Sequence, residues 1–202
     1  MDNTTLYTIG HSNVAIEAFI ALLRRHAITA IADVRSHPYS RFLPHFSQPA
    51  LKVALHEAHI RYVFLGRELG ARPADPSCYV DGKAVYARIA ATALFAEGLG
   101  RLRRGAATEK IALLCAEKDP ITCHRAILVC RPLRAPDLHI AHILSDGNIE
   151  SHHDLEQRLL RLHGLDQFDL FNPRPLDQLI EDAYDRQGEN IAYTKEEDDR
   201  DG

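Results

Sequence analysis

Short apolar runs rich in β-branched residues alternate along this chain with stretches whose apolar positions recur every three or four residues. The runs are TLYTIG at 5–10, TAIADV at 29–34, IRYVFL at 60–65, KIALLCA at 110–116 and LHIAHIL at 138–144, each of strand length. Between the first two, Ile16, Phe19, Ile20 and Leu23 define a helix, with Ser12 or Asn13 placed to cap it. Ser47 heads a second helix with Pro49 in its first turn and Leu51, Ala54, Leu55 and Ala58 as its stripe, ending near His59. A longer helix is predicted after Gly82, through Val85, Ile89, Phe95, Leu99 and Leu102, stopping at the basic RLRRG of 101–105. Ala126, Cys130 and Leu133 stripe the next. Ser151 with Asp154 resembles a capping box ahead of Leu155, Leu159 and Leu162. After FNPRP at 171–175, Leu176, Leu179, Ile180 and Ala183 make a last short helix.

Strands alternating with helices predict an α/β fold of three layers, a mostly parallel five-stranded sheet with helices on both faces. One α/β domain is expected over 1–188, with a core at 5–163 and a C-terminal helical extension at 164–188. In such sheets ligands bind beyond the carboxyl ends of the strands. The residues to inspect there are Gly10, His11 and Ser12; Asp33, Arg35, Ser36 and His37; Gly66, Arg67 and Glu68; Cys115, Glu117 and Lys118; and Ser145, Asp146 and Gly147.

Composition adds bounds. With 202 residues, 46% hydrophobic and 26% charged, the chain suits a globular domain and excludes a collagen-like or wholly disordered one. The net charge of -4 lies entirely in residues 189–202, which hold six acidic and two basic groups; residues 1–188 carry 22 of each sign. That segment reads as a disordered acidic tail, and the neutral remainder predicts neither a membrane nor a nucleic-acid partner from bulk charge. Asp2 and the lack of a long apolar run argue against a signal peptide or a span, so a cytoplasmic location is expected. Four cysteines, Cys78, Cys115, Cys123 and Cys130, are too few and too unevenly spaced for a secreted disulfide scaffold and read as free thiols.

Five blocks then carry a family resemblance: TIGHSN at 8–13, ADVRSHPYSRFLPHF at 32–46, FLGRELGARP at 64–73, LLCAEKDPITCHR at 113–125 and HILSDG at 142–147. Together they resemble the domain of unknown function 488 (DUF488) family from about Thr5 to His163. Ala71 stands where that family often has a second glycine. The resemblance implies an α/β fold and a shared pocket, and assigns no activity.

The chemistry must therefore come from the residues. In DPITCHR, Asp119 and Pro120 read as a cap and a first-turn proline, which places Cys123, His124 and Arg125 at the start of a helix, where backbone N–H groups favour anions and thiolates. Cys123 is the candidate nucleophile, His124 or His11 the proton-transfer group, and Glu117 the orienting carboxylate. Arg35, Arg41 and Arg125 are the candidate anion-binding residues, with Ser12, Asp33, Ser36 and Cys115 beside them. The structural alternatives are a packed Cys123, an Arg35 paired with Asp33 or Glu117, and Phe42 and Phe46 as core anchors of the 35–46 loop. The C-x7-C-H spacing is not a zinc pattern, so no metal ligands are assigned and the cofactor stays open. A spatial site of Cys115, Cys123 and His124 with His11 or His37 is kept as an alternative. The Cys-x5-Arg phosphatase spacing is absent, since Ile121 and Val129 occupy the arginine positions. DVRS resembles a strand end of rhodanese-like sulfurtransferases, which gives sulfur transfer as a further alternative. The leading reading is a small cytosolic enzyme or enzyme-like binder of an anionic ligand. A nucleic-acid module using the 35–46 loop and RLRR is the reading from another class.

Overall fold

The structure, a computed structural model, describes residues 4–166 and 174–195. In chain order they form β1 (Thr4–Gly10), α1 (Ile16–Arg25), β2 (Ala30–Asp33), α2 (Gln48–Glu57), β3 (Arg61–Phe64), α3 (Gly66–Leu69), β4 (Tyr79–Val80) and β5 (Lys83–Ala84). There follow α4 (Tyr86–Ala90), α5 (Ala93–Ala106), β6 (Ile111–Cys115), β7 (Leu138–Ile143), β8 (Ile149–Ser151), α6 (His152–Leu162) and α7 (Leu176–Ile191). The main sheet has the order β3-β2-β6-β1-β7-β8, parallel except for β8.

Every predicted strand forms, and the count of five is corrected to six. β8 is only three residues long, too short to show a period, and it pairs back on β7 through a turn in which Gly147 takes a φ of 81°. The Asp146–Gly147 pair is the hairpin signal for it. The long helix predicted after Gly82 is two helices, because the Thr92 hydroxyl accepts from Phe95 N–H and starts α5 afresh. α1 begins after Ala15 and has no side-chain cap from Ser12 or Asn13.

The alternation of side chains along the strands builds two cores. Leu6, Ala32, Leu113 and Leu128 pack on one face with Phe95 and Leu102 of α5, and Ile9, Ile31 and Leu114 pack on the other with Phe19 of α1 and Leu55 of α2. Chain leaving β1 therefore turns to one face, while chain leaving β6 turns to the other, into a buried π-helix at Arg125–Cys130. This divergence between neighbouring strands opens a crevice beyond their carboxyl ends, the topological switch point where α/β sheets bind ligands.

α6 and α7 close a third, smaller core with Ile121 and Ile127. α7 is longer than the short helix predicted. Residues 189–195, read as part of a disordered tail, finish α7 and reach β5, where Thr194 pairs with Lys83. The rest of that tail, 196–202, and residues 171–173 of the FNPRP break lie outside the described residues. Among the described residues no helix is long and apolar enough to cross a membrane.

A file of buried polar groups runs through this side of the molecule. Arg125 Nε–H donates to Thr8 Oγ1 (3.4 Å), Thr8 meets His142 Nδ1 (2.8 Å), and His142 Nε2 meets His152 Nδ1 (2.9 Å). His152 Nε2 meets the Tyr184 hydroxyl (2.9 Å), which donates to Glu156 (3.1 Å). Burial and mutual repulsion hold His142 well below the usual histidine value, and burial takes His152 to about 3, so both rings are neutral.

Candidate functional site

Three central strands deliver the site. β6 ends on Cys115, whose carbonyl accepts from His11 N–H at 3.0 Å, and Ala116 O accepts from Ser12 N–H at 2.8 Å, so the loops after β1 and β6 continue the pairing past the sheet. Gly10 permits this approach: a Cβ there would lie 1.8 Å from the Glu117 carbonyl oxygen. Arg125, fully buried, clamps the same loop from behind, with Nη1 donating to Glu117 O (2.7 Å) and Nη2 to Lys118 O (3.2 Å).

The clamp holds four reactive side chains together. The sulfurs of Cys115 and Cys123 lie 2.8 and 3.0 Å from the same oxygen, Glu117 Oε2. His124 Nδ1 is 3.5 Å from Cys115 Sγ, while its Nε2–H donates to Val34 O at 3.0 Å. Arg125 N–H points to Cys123 Sγ at 3.5 Å. Glu117 sits on an exposed loop, yet its carboxylate folds down onto the thiols; burial there, with negative charge on Cys123, raises its pKa. Burial also pushes the Cys115 thiol up, reinforced by its bond to Cys123. At Cys123 burial opposes the anion, but the hydrogen bond with Cys115 and the charges of Arg125 and His124 outweigh it and hold this thiol well below its usual value. His124 is the counterpart: burial lowers it, and its bond to Cys123 more than offsets that and raises it.

A second assembly stands beside this one. Arg35 is pinned by Asp33, with Nη2 at 2.6 Å from Oδ2 and Nε at 2.9 Å from Oδ1, and its Nη1 donates to Phe46 O at 2.9 Å. The same nitrogen lies 3.3 Å from His11 Nε2, and since a guanidinium only donates, Nε2 accepts and Nδ1–H donates to Ser12 O at 2.8 Å. Burial and the Arg35 charge lower His11 to about 4. Its ring stacks on Phe46, centroids 4.2 Å apart. His11 is thus neutral with both nitrogens occupied. Tyr62, which the sequence reading did not select, donates to Asp33 Oδ2 at 2.7 Å.

These assemblies border one cavity of about 500 Å³, with Cys115, Glu117 and His124 on its floor and His11, Arg35, Ser36 and His37 along one side. Its other side comes from Arg72, Tyr86 and the chain after α7, including Tyr193, whose ring Arg72 covers at 4.1 Å. Nothing in the sequence pattern marks the return of α7 to a pocket some 75 residues away, and these residues were missed. Cys123, 1% exposed, lies behind Cys115 and outside the lining. Arg125 and Arg35 spend their donors on the protein, and Arg41 is exposed over the Phe42 ring, away from the cavity. Phe46 is the core anchor expected, whereas Phe42 is 83% exposed. The helix start predicted at Cys123 is a 3-10 turn at Pro120–Thr122 followed by an extended Cys123, and Asp119, its cap, is held by Arg158.

Fold and site together define an α/β protein with a crevice of thiol, carboxylate and imidazole groups at the switch point of a parallel sheet. A family model described as Domain of unknown function DUF488 matches residues 15–131, and the chain belongs to that family. The motif blocks at 32–46, 64–73 and 113–125 fall within the match. No curated protein and no solved structure matches the chain.

Proposed function

We propose that this DUF488 protein is a small enzyme, or an enzyme-like binder, that takes a small anionic molecule into the cavity and presents it to the Cys115–Glu117–Cys123–His124 cluster. The observation that carries this reading is the position of the cluster, with Cys115, Glu117 and His124 lining a cavity at the carboxyl ends of β1, β2 and β6 and Cys123 buried behind them. The lining favours an anion: Arg72 and His37 supply cationic or donor groups, Ser36 and Ser40 supply hydroxyls, and Glu117 is its one acid among the described residues. A volume of about 500 Å³ suits a molecule of mononucleotide size or smaller. Arg35 and His11 shape the wall rather than clamp the ligand, since their hydrogen bonds are internal.

The test is calorimetric titration of the full chain with inorganic phosphate, a nucleoside monophosphate and a dicarboxylate. Saturable binding of at least one, weakened at least tenfold by His37→Ala together with Arg72→Ala, is expected. No binding, or equal binding by the variant, refutes the reading. The exposed Phe42 under Arg41 favours nucleic acid as a second reading. Its signature is affinity for single strands that falls steeply with salt, which a small anion does not show.

A further inference from the structure

We infer that Cys115, Glu117, Cys123 and His124 form a binding site for one divalent transition-metal ion of the zinc type. As the reactive centre of the enzyme proposed above the ion rests on that reading; as a bound ion it is testable without it.

The first support is convergence. One ligand atom from each of the four residues lies within 4.8 Å of all the others. Zinc bonds of about 2.0–2.3 Å place tetrahedral donors roughly 3.3–3.8 Å apart. The Cys115–His124 separation of 3.5 Å already has that value. The two sulfur–carboxylate distances, 2.8 and 3.0 Å, are those of hydrogen bonds. They open by less than about 1 Å when an ion replaces the protons.

Orientation is the second support. His124 places Nε2–H on the Val34 carbonyl, which fixes the ring and turns Nδ1 toward the sulfurs. A ring nitrogen anchored on a backbone carbonyl, with the other nitrogen facing thiols and a carboxylate, is the arrangement by which proteins set a histidine for a metal. The supporting shell is equally fixed: Arg125 holds the Glu117 and Lys118 carbonyls and points its N–H at Cys123 Sγ, and the chain after β1 holds the Cys115 and Ala116 carbonyls.

Charge and softness select the ion. Two thiolates and a carboxylate carry three negative charges, which a divalent cation and the buried Arg125 guanidinium balance. Two sulfurs, one imidazole and one carboxylate suit zinc, and not the oxygen-seeking magnesium or calcium. Cys123 closes the buried side, while Cys115, Glu117 and His124 face the cavity. Glu117, on an exposed loop, is the ligand that a water or an incoming anion replaces, which is how a four-ligand site becomes a reactive one. The spacing Cys-x-Glu-x5-Cys-His hides this set from a search for paired cysteines.

The experiment measures metal content of the purified full chain by plasma mass spectrometry, followed by chelation and titration of the metal-free protein with Co²⁺. One zinc per chain is expected, then one equivalent of Co²⁺ with a sulfur-to-cobalt charge-transfer band. Cys115→Ser and Cys123→Ser each lower that band by about half, since its intensity follows the number of thiolate ligands. Glu117→Gln keeps the band and changes the ligand-field spectrum. Because a cysteine variant can fail to fold, the wild-type titration stands alone. A folded chain that retains substoichiometric metal and gives no cobalt–thiolate band overturns the inference and leaves a metal-free dithiol centre. Anion binding by metal-free protein separates that outcome from failure of the proposed function.

Discussion

Gly10→Ala tests the link between backbone packing and the cluster. The added Cβ falls 1.8 Å from Glu117 O and 2.9 Å from its carbonyl carbon, against an ordinary carbon contact of about 3.5 Å. The loop after β6 must retreat by more than about 1 Å. Overpacking of this kind costs about 1–3 kcal/mol. Loss of the bonds from His11 N–H to Cys115 O and from Ser12 N–H to Ala116 O adds about 1 kcal/mol each. A destabilisation of about 3–5 kcal/mol lowers the melting temperature of a chain this size by roughly 6–20 °C. A ligand set that tolerates errors of only about 0.2 Å loses its metal affinity as well. Gly100→Ala is the control. A Cβ there meets only the far end of Arg104 at 3.3 Å, and alanine inside α5 stabilises by about 0.5–1 kcal/mol. Denaturant unfolding and cobalt titration of both variants are the assays. Gly10→Ala with wild-type stability and wild-type cobalt binding refutes the reasoning.

Three further outcomes are expected. Asp33→Asn leaves the Arg35 guanidinium buried without its carboxylate and costs about 3–5 kcal/mol, read by urea unfolding, whereas a surface pair such as Arg61–Glu109 tolerates the same change within about 1 kcal/mol. Arg125→Met removes the two donors that hold Glu117 O and Lys118 O and destabilises by about 3 kcal/mol or more, also read by urea unfolding. The neutral histidines set the acid limit: with folded values of about 4 for His11 and about 3 for His152, against 6.5 unfolded, the unfolded chain binds the extra protons. Their contribution to stability is full above pH 6.5 and falls as pH drops toward 3–4, by about 1.4 kcal/mol per pH unit for each group. Unfolding curves at pH 7, 6 and 5 measure it, and a flat profile contradicts the neutral assignment.

The sheet was legible because β1, β2, β3, β6 and β7 fall in short apolar runs between turn signals, with the interior parallel strands β2 and β6 buried along their whole length. The pocket edge formed by β1, β2 and β6 followed from that, since post-strand positions are countable in a sequence. Which donors face the cavity was not countable. Arg35 and Arg125 look like anion clamps in one dimension, and only the fold shows their forks filled by Asp33 and by two carbonyls. The break at Thr92 and the π-turn at Arg125–Cys130 escaped for a related reason: one hydroxyl, or one extra residue in a helical turn, alters geometry without altering the apolar period. The contribution of α7 to the pocket depends on tertiary return, for which a single sequence has no sign.

The file of groups from Arg125 to Glu156 has a direction. Arg125 Nε can only give a proton to Thr8, and the Tyr184 hydroxyl gives its single hydrogen to Glu156 Oε1. With both rings neutral, the Tyr184 end dictates every hydrogen back to Thr8, whose oxygen accepts from Arg125 while its own hydrogen goes to His142. Thr8 donates to His142 Nδ1, His142 carries its proton on Nε2 toward His152, and His152 carries its own on Nε2 toward Tyr184. All dipoles in the row therefore align head to tail, and each bond polarises the next. Two histidines that look interchangeable in the sequence are locked as the same tautomer by one acceptor at the end of the row, so the polarity that reaches Thr8 beside Arg125 is set by Glu156 from across three intervening side chains.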